Sequence, residues 1–131
     1  MDRLFLDANV LFSAAYRANA GLLQFWNLKN VTLCSSRYAM EEARINLAQD
    51  VQRHRLEKLG RALEFFDSIP FRLPRDVSLP DKDVPILLAA ITARCTHLIT
   101  GDVHHFGCYF GKTIGGVLVS APADYLRKIG L

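Results

Sequence analysis

The sequence predicts an α/β fold built on a parallel sheet covered on both faces. Two observations predict it. Short apolar runs recur along the chain at Leu4-Phe5-Leu6, Val31-Thr32-Leu33-Cys34, His97-Leu98-Ile99-Thr100 and Val117-Leu118-Val119. Helix-like stretches separate them, and strands that alternate with helices argue for βαβ units.

Each element has a local reason. Leu4-Phe5-Leu6 reads as a buried first strand that ends at Asp7. Val10 to Tyr16 and Gly21 to Leu28 are helix-like. Val31 to Cys34 is apolar and rich in β-branched residues, so it reads as the second strand. Ser36 can cap a helix that runs through Met40 to Leu47. A further helix is expected from about Val51 to Phe66, and Ile69-Pro70-Phe71 as a short edge strand, where Pro is tolerated. Arg72 to Pro80 reads as a loop. Pro85 suits the first turn of a helix through Ile86 and Ile91 to about Arg94. Two strands follow, His97 to Thr100 and Val117 to Val119, and Ser120 and Pro122 open a final helix with Tyr125 and Leu126.

The chain has 131 residues, half of them hydrophobic, which suits one self-contained domain over 1–131. No apolar run is long enough for a bilayer, and Met1-Asp2-Arg3 lacks the layout of a secretory signal. A cytoplasmic protein is expected. Cys34, Cys95 and Cys108 are odd in number and show no C-x-x-C spacing, so they are expected as buried hydrophobes rather than disulfides or zinc ligands. The net charge of +3 permits a nucleic-acid partner without demanding one. Arg37, Arg44, Arg53, Arg55, Lys58 and Arg61 crowd one stretch, with His54 among them. They form either a solvated helical face or an RNA contact.

Ligands of open parallel sheets bind beyond the carboxyl ends of the strands. Asp7 follows the first strand, Asp102 follows Thr100-Gly101, and Asp83 stands at the mouth of the helix that Pro85 begins. One such Asp can be explained by turn or cap chemistry. Three at equivalent ends of one sheet would repel one another unless a positive group joins them. No Lys or Arg adjoins Asp7 or Asp102 in sequence, so a hard cation such as Mg²⁺ or Mn²⁺ is the economical partner.

These segments resemble the motifs of PIN-domain nucleases, whose members include the VapC-like toxin ribonucleases. Leu6-Asp7-Ala8-Asn9-Val10-Leu11 resembles the first motif, and Ser36-Arg37-Tyr38-Ala39-Met40-Glu41-Glu42 the second. Asp83-Val84-Pro85-Ile86-Leu87-Leu88-Ala89-Ala90 resembles the third. Thr100-Gly101-Asp102, followed by His105-Phe106, resembles the fourth. Val119 to Leu126 is similar to the family's last strand and helix. The resemblance implies a three-layer α/β/α sandwich and a divalent-metal-dependent endoribonuclease using Mg²⁺ or Mn²⁺. It also implies RNA as substrate, and, for a small single-domain member, the toxin role in a toxin–antitoxin pair and a homodimer.

Carried over by position, the catalytic and metal-binding acids are Asp7, Glu42, Asp83 and Asp102, with Asn9 and Thr100 in support. Asp7 and Asp102 would hold metal directly, Asp83 would complete the site or hold a second ion, and Glu42 would orient or deprotonate water. The resemblance, through the family's spacing from Ser36, implies Glu42 rather than Glu41, which is then solvated or paired with a basic residue. Asp83 is better placed than Asp81, since a helix capped by Asp81 would put Pro85 where an N–H is needed. Arg44, Arg53, Arg55, Lys58 and Arg61 are the candidate RNA contacts. Adjacent histidines seldom face one ion, so His104 and His105 are expected at the rim or surface rather than as ligands. Phe25, Trp26, Phe65 and Phe66 are expected to fill the core or an exposed apolar dimer patch on helical stretches.

Rival classes fit less well. A haloacid-dehalogenase-like phosphatase needs a second acid two residues after the first, where this chain has Asn9. A receiver domain wants an early acidic pair and a late Lys after a strand. A non-catalytic PIN-like module that binds RNA or protein would be marked by lost acids, and all four are present.

Overall fold

The computed structural model describes residues 1–68 and 72–131. Six strands form one sheet: β1 (Asp2–Leu6), β2 (Val31–Ser35), β3 (Glu64–Phe65), β4 (His97–Ile99), β5 (Thr113–Ile114) and β6 (Val117–Ser120). Their order is β3-β2-β1-β4-β6-β5. All neighbours are parallel except the β5–β6 edge pair. The helices are α1 (Ala8–Tyr16), α2 (Arg37–Asn46), α3 (Asp50–Gly60), α4 (Val84–Thr92), α5 (Val103–Phe106) and α6 (Pro122–Lys128). The expected α/β fold with a mostly parallel sheet flanked by helices is therefore the observed one.

The direction of the chain along the sheet determines where a ligand can enter. From β1 it moves outward through β2 to β3, and from β4 it moves the other way to β6. Helices α1, α2 and α3 pack on one another, while α4 packs on β2 and β4. Right-handed crossovers in opposite directions place these two groups on opposite faces. The reversal falls between β1 and β4, so a crevice opens beyond their carboxyl ends.

Those two strands are the most apolar part of the core. Leu4, Phe5 and Leu6 of β1 and Leu98 and Ile99 of β4 are completely buried. A strand covered on both faces needs no polar alternation, which is why each reads as a continuous apolar run. The ladder aligns Leu6 with Ile99 and Ile99 with Ser120. It continues one step further, since Asp7 N–H donates to Ile99 O at 3.0 Å and Thr100 N–H to Ser120 O at 3.1 Å. Asp7 and Thr100 thus emerge side by side from the same sheet end.

Several expectations need correction. The helix expected from Val51 to Phe66 stops at Gly60, and Glu64-Phe65 is an edge strand. At Gly60 a Cβ would lie 2.8 Å from Met40 Cε, so the chain there lies hard against α2. Beyond a turn, Glu64 pairs with Cys34, and Phe66 N–H donates to Ser35 O at 2.9 Å. Ladder hydrogen bonds on an open sheet edge outweigh local helical preference. Phe65 and Phe66 therefore lie outside any helix. The edge strand expected at Ile69-Pro70-Phe71 lies outside the described residues.

Gly21–Asn27 is a 3₁₀ helix, and its Phe25 is in the core, one of the two places expected for it. Ser120 ends β6, so α6 begins after it at Pro122. Cys34 and Cys95 are buried as expected, but Cys108 is exposed. The β5–β6 hairpin was not anticipated. It turns through Gly115 and Gly116, at φ +56° and +85°, the positive-φ pair that a two-residue hairpin turn requires. Among the described residues, no helix is long and apolar enough to cross a membrane.

Candidate metal centre at the sheet switch point

The crevice between β1 and β4 is a cavity of about 520 Å³ whose lining includes Asp7, Asn9, Glu42, Asp83 and Asp102. The four acids expected from the sequence are thus brought together. Different elements deliver them: Asp7 is the N-cap of α1, Glu42 lies on α2, Asp83 precedes α4, and Asp102 is the N-cap of α5.

Asp7 is the most enclosed, at 4% exposure. Its Oδ1 accepts from Ala8 N–H at 2.6 Å, and its Oδ2 accepts from Thr100 Oγ1–H at 2.8 Å and from Asn9 Nδ2 at 3.1 Å. Asn9 Oδ1 accepts from Gly101 N–H at 2.7 Å, and Thr100 Oγ1 accepts from Asp102 N–H at 3.1 Å. Asn9 and Thr100 therefore stitch the start of α1 to the loop after β4. Gly101 is needed for this closeness, since a Cβ there would lie 3.3 Å from Asn9 Oδ1.

The other three acids have less local support. Asp83 sits at the start of α4 but its side chain makes no cap hydrogen bond. The turn from Pro80, closed by Asp83 N–H to Pro80 O at 2.9 Å, and Pro in the first helical turn already form that helix start. Its carboxylate is left to face the cavity. Tyr38 on α2 donates to Lys82 O at 2.8 Å, which ties the approach to Asp83 onto the helix carrying Glu42. Glu41 faces away and pairs with Arg44, while Asp81 is exposed. The choices of Glu42 and Asp83 agree with the cavity.

The site also holds basic groups not evident from sequence adjacency to Asp7 and Asp102. His105 Nδ1 stands 2.9 Å from Asp83 Oδ2 and 2.9 Å from Asp102 Oδ2. His104 is exposed and His105 stands half-buried at the rim, both within the expectation, but His105 also touches two of the acids. Asp102 Oδ1 accepts from His105 N–H at 3.0 Å, so the first turn of α5 holds the ring beside the Asp83 and Asp102 carboxylates. The signal in the sequence was the i, i+3 spacing of Asp102 and His105 around a helix start. Lys82 also lines the cavity.

Electrostatics agree with crowded anions. Burial pushes Asp7 up to about 6, against the hydrogen bonds from Thr100 and Ala8, and Asp83 and Glu42 push the same way. Burial also raises Glu42, opposed by Lys82 and reinforced by Asp83. Burial raises Asp83, opposed chiefly by His105. The residues fit a hard divalent ion on a further observation. Asp83 Oδ2 and His105 Nδ1 are buried, and neither has a hydrogen bond of good geometry among the described residues despite their short contact. Buried polar atoms without partners are costly, and coordination supplies what the fold does not.

The expected RNA contacts lie elsewhere, on α2, α3 and the turn after α3. Arg44, Arg53 and Arg61 pair with Glu41, Asp50 and Glu57. Arg55 donates to Ala15 O and Tyr16 O, which anchors α3 to the end of α1. Lys58 is exposed.

A pH dependence follows. An acid with a raised native pKa holds its proton more tightly folded than unfolded. Between the ordinary value of 3.8 and about 6, the native state binds more protons, so stability of the metal-free protein falls as pH rises. For Asp7 the fall amounts to ~3 kcal/mol at most and levels off above pH 6. Urea unfolding in EDTA from pH 4 to 7 should show it, and Asp7→Asn should flatten it. Identical pH curves for the two proteins would contradict this account of Asp7.

A family model described as PIN domain matches residues 3–104, a span that includes all four acids and stops just short of His105. No curated protein sequence matches the chain. Among solved structures, the fold is similar to one described as the crystal structure of VapBC2 from Rickettsia felis bound to a DNA fragment from their promoter. The TM-score is 0.64 at 16% identity, covering 91% of this chain and 98% of that one. Sheet order, the acidic switch-point crevice and the extent of the family match agree: the chain belongs to the PIN-domain family.

Proposed function

We propose that the chain is a divalent-metal-dependent endoribonuclease that hydrolyses RNA phosphodiester bonds. The convergence of Asp7, Glu42, Asp83 and Asp102 on one cavity carries this reading. A bound Mg²⁺ or Mn²⁺ would offset phosphate charge and lower the pKa of water at the site. Asp7 and Asp102 are the direct holders of the ion. Asn9 and Thr100 hold the Asp7 carboxylate by hydrogen bonds, and Asp83 adds a further oxygen to the cavity lining. Glu42, raised by burial and only partly enclosed, orients or deprotonates the attacking water. Lys82 is the nearest basic side chain for the substrate phosphate.

The role of toxin in a toxin–antitoxin pair is supported by the likeness to VapBC2, and an antitoxin protein is then a partner. The cytoplasm is its place of action. Lys58 is the candidate RNA contact least committed within the protein, with Arg44, Arg53, Arg55 and Arg61 around it. Neutralising Lys58 and Arg61 together should lower the salt dependence of RNA binding by about 0.7 per lost contact, and an unchanged slope would return them to a solvated face. A homodimer through the exposed Ile45, Val51 and Phe65 is part of the same reading, and a monomeric mass by light scattering would contradict it.

Asp102→Asn tests the chemistry. Asn keeps the oxygen that caps α5 and removes the charge that attracts an ion. Cleavage of single-stranded RNA should fall by several orders of magnitude, because a lost ligand removes several kcal/mol of transition-state stabilisation. Mg²⁺ should raise the melting temperature of the wild type more than that of the variant. Equal cutting by both proteins, or cutting indifferent to EDTA, would refute the proposal.

A further inference from the structure

We infer that His105 is a metal ligand, and that with Asp83 and Asp102 it makes a two-carboxylate, one-imidazole position that selects Mn²⁺ over Mg²⁺. This rests on the carboxylate site proposed above and deepens it. Three observations carry it.

The first is spacing. Donor atoms of Asp83, Asp102 and His105 all lie within 4.8 Å of one another. The two His105 contacts are each 2.9 Å. Neighbouring donors around an octahedral ion at ~2.1 Å stand about 3.0 Å apart, so the cluster already has the edge length of such a shell.

The second is hydrogen bonding. At 2.9 Å an N–H aimed at an oxygen would be an ordinary hydrogen bond. Here His105 Nδ1 and Asp83 Oδ2 attract each other but are set at a poor hydrogen-bonding angle, so neither buried atom is fully satisfied by the other. Asp83 itself is 6% exposed and makes no helix cap. A buried carboxylate oxygen and a ring nitrogen held together without good hydrogen-bond geometry are donors that a cation bound by both would satisfy.

The third is orientation. Asp102 Oδ1 is occupied by His105 N–H, which leaves Oδ2 for the cavity and fixes the ring in the same turn. Ligand and support therefore come from one short segment. Bound in this way, Nδ1 presents its lone pair and the proton resides on Nε2. Mg²⁺ prefers an all-oxygen shell, whereas first-row transition ions accept imidazole nitrogen readily. The imidazole thus confers the selectivity.

Pulsed electron paramagnetic resonance of the full chain loaded with one equivalent of Mn²⁺ reads this directly. The wild type should show ¹⁴N modulation of the Mn²⁺ signal, His105→Ala should lose it, and His104→Ala should keep it. Titration should show Mn²⁺ affinity reduced by about tenfold or more in His105→Ala, with Mg²⁺ affinity changed much less. His105→Gln, which offers an amide oxygen in place of the ring nitrogen, should keep Mg²⁺ binding while losing the preference for Mn²⁺. Mn²⁺ binding that depends on Asp102 but shows no ¹⁴N coupling, or coupling that survives His105→Ala, would overturn the role of His105 and leave the carboxylate site standing. A wild type that binds neither ion, or binds them as well as Asp102→Asn does, would overturn both.

Discussion

The hydrogen bond from Thr100 to the buried carboxylate of Asp7 joins the two strands on which the site depends. It exists because β1 and β4 are in parallel register, with Leu6 beside Ile99, and each releases its next residue at the same sheet end. Asn9 then bridges Asp7 to Thr100 and Gly101, and Thr100 supports the N–H of Asp102. The position of Asp102, and through it the orientation of His105, traces back to one strand pairing. Distortion of that pairing would move two of the four acids at once.

The cost of this arrangement is electrostatic. A carboxylate with Asp7's burial is stable in ionised form only when hydrogen bonds or a cation offset desolvation. The protein supplies three hydrogen-bond donors to Asp7 but places Asp83 and Glu42 close enough to raise its pKa further. The nearby imidazole of His105 and the Lys82 ammonium offset part of that burden for Asp83. An ion would offset more. Active sites commonly hold such strain, and here it is concentrated where the strand order reverses.

Much of this was legible in the sequence because local rules and global fold agreed. Asp7, Asp83 and Asp102 stand where an apolar strand ends or an apolar helix begins, so chain order alone points them to one end of the sheet. Helical phase said only that Glu41 and Glu42 cannot share one spot; the resemblance chose Glu42, and Arg44 pairs with the other one. His105 was not legible as a site residue because one of its two partners, Asp83, is distant in sequence and meets it only in the fold. The strand Glu64-Phe65 was misread as helix because its two residues carry no pattern of their own and pair only by virtue of the open edge of β2. Phe25 was legible as core or dimer contact, but not which of the two, because its stacking partner Tyr125 lies on the last helix, far along the chain.

The most direct test of a metal-binding switch-point site is crystallographic. Crystals of the chain grown or soaked with Mn²⁺, with data collected near the manganese absorption edge, would locate any bound ion by its anomalous scattering. The account predicts a peak inside the cavity lined by Asp7, Glu42, Asp83 and Asp102, with carboxylate oxygens at ~2.0–2.3 Å. A map without a peak there, or with manganese only at surface carboxylates such as Asp50 or Glu57, would contradict it.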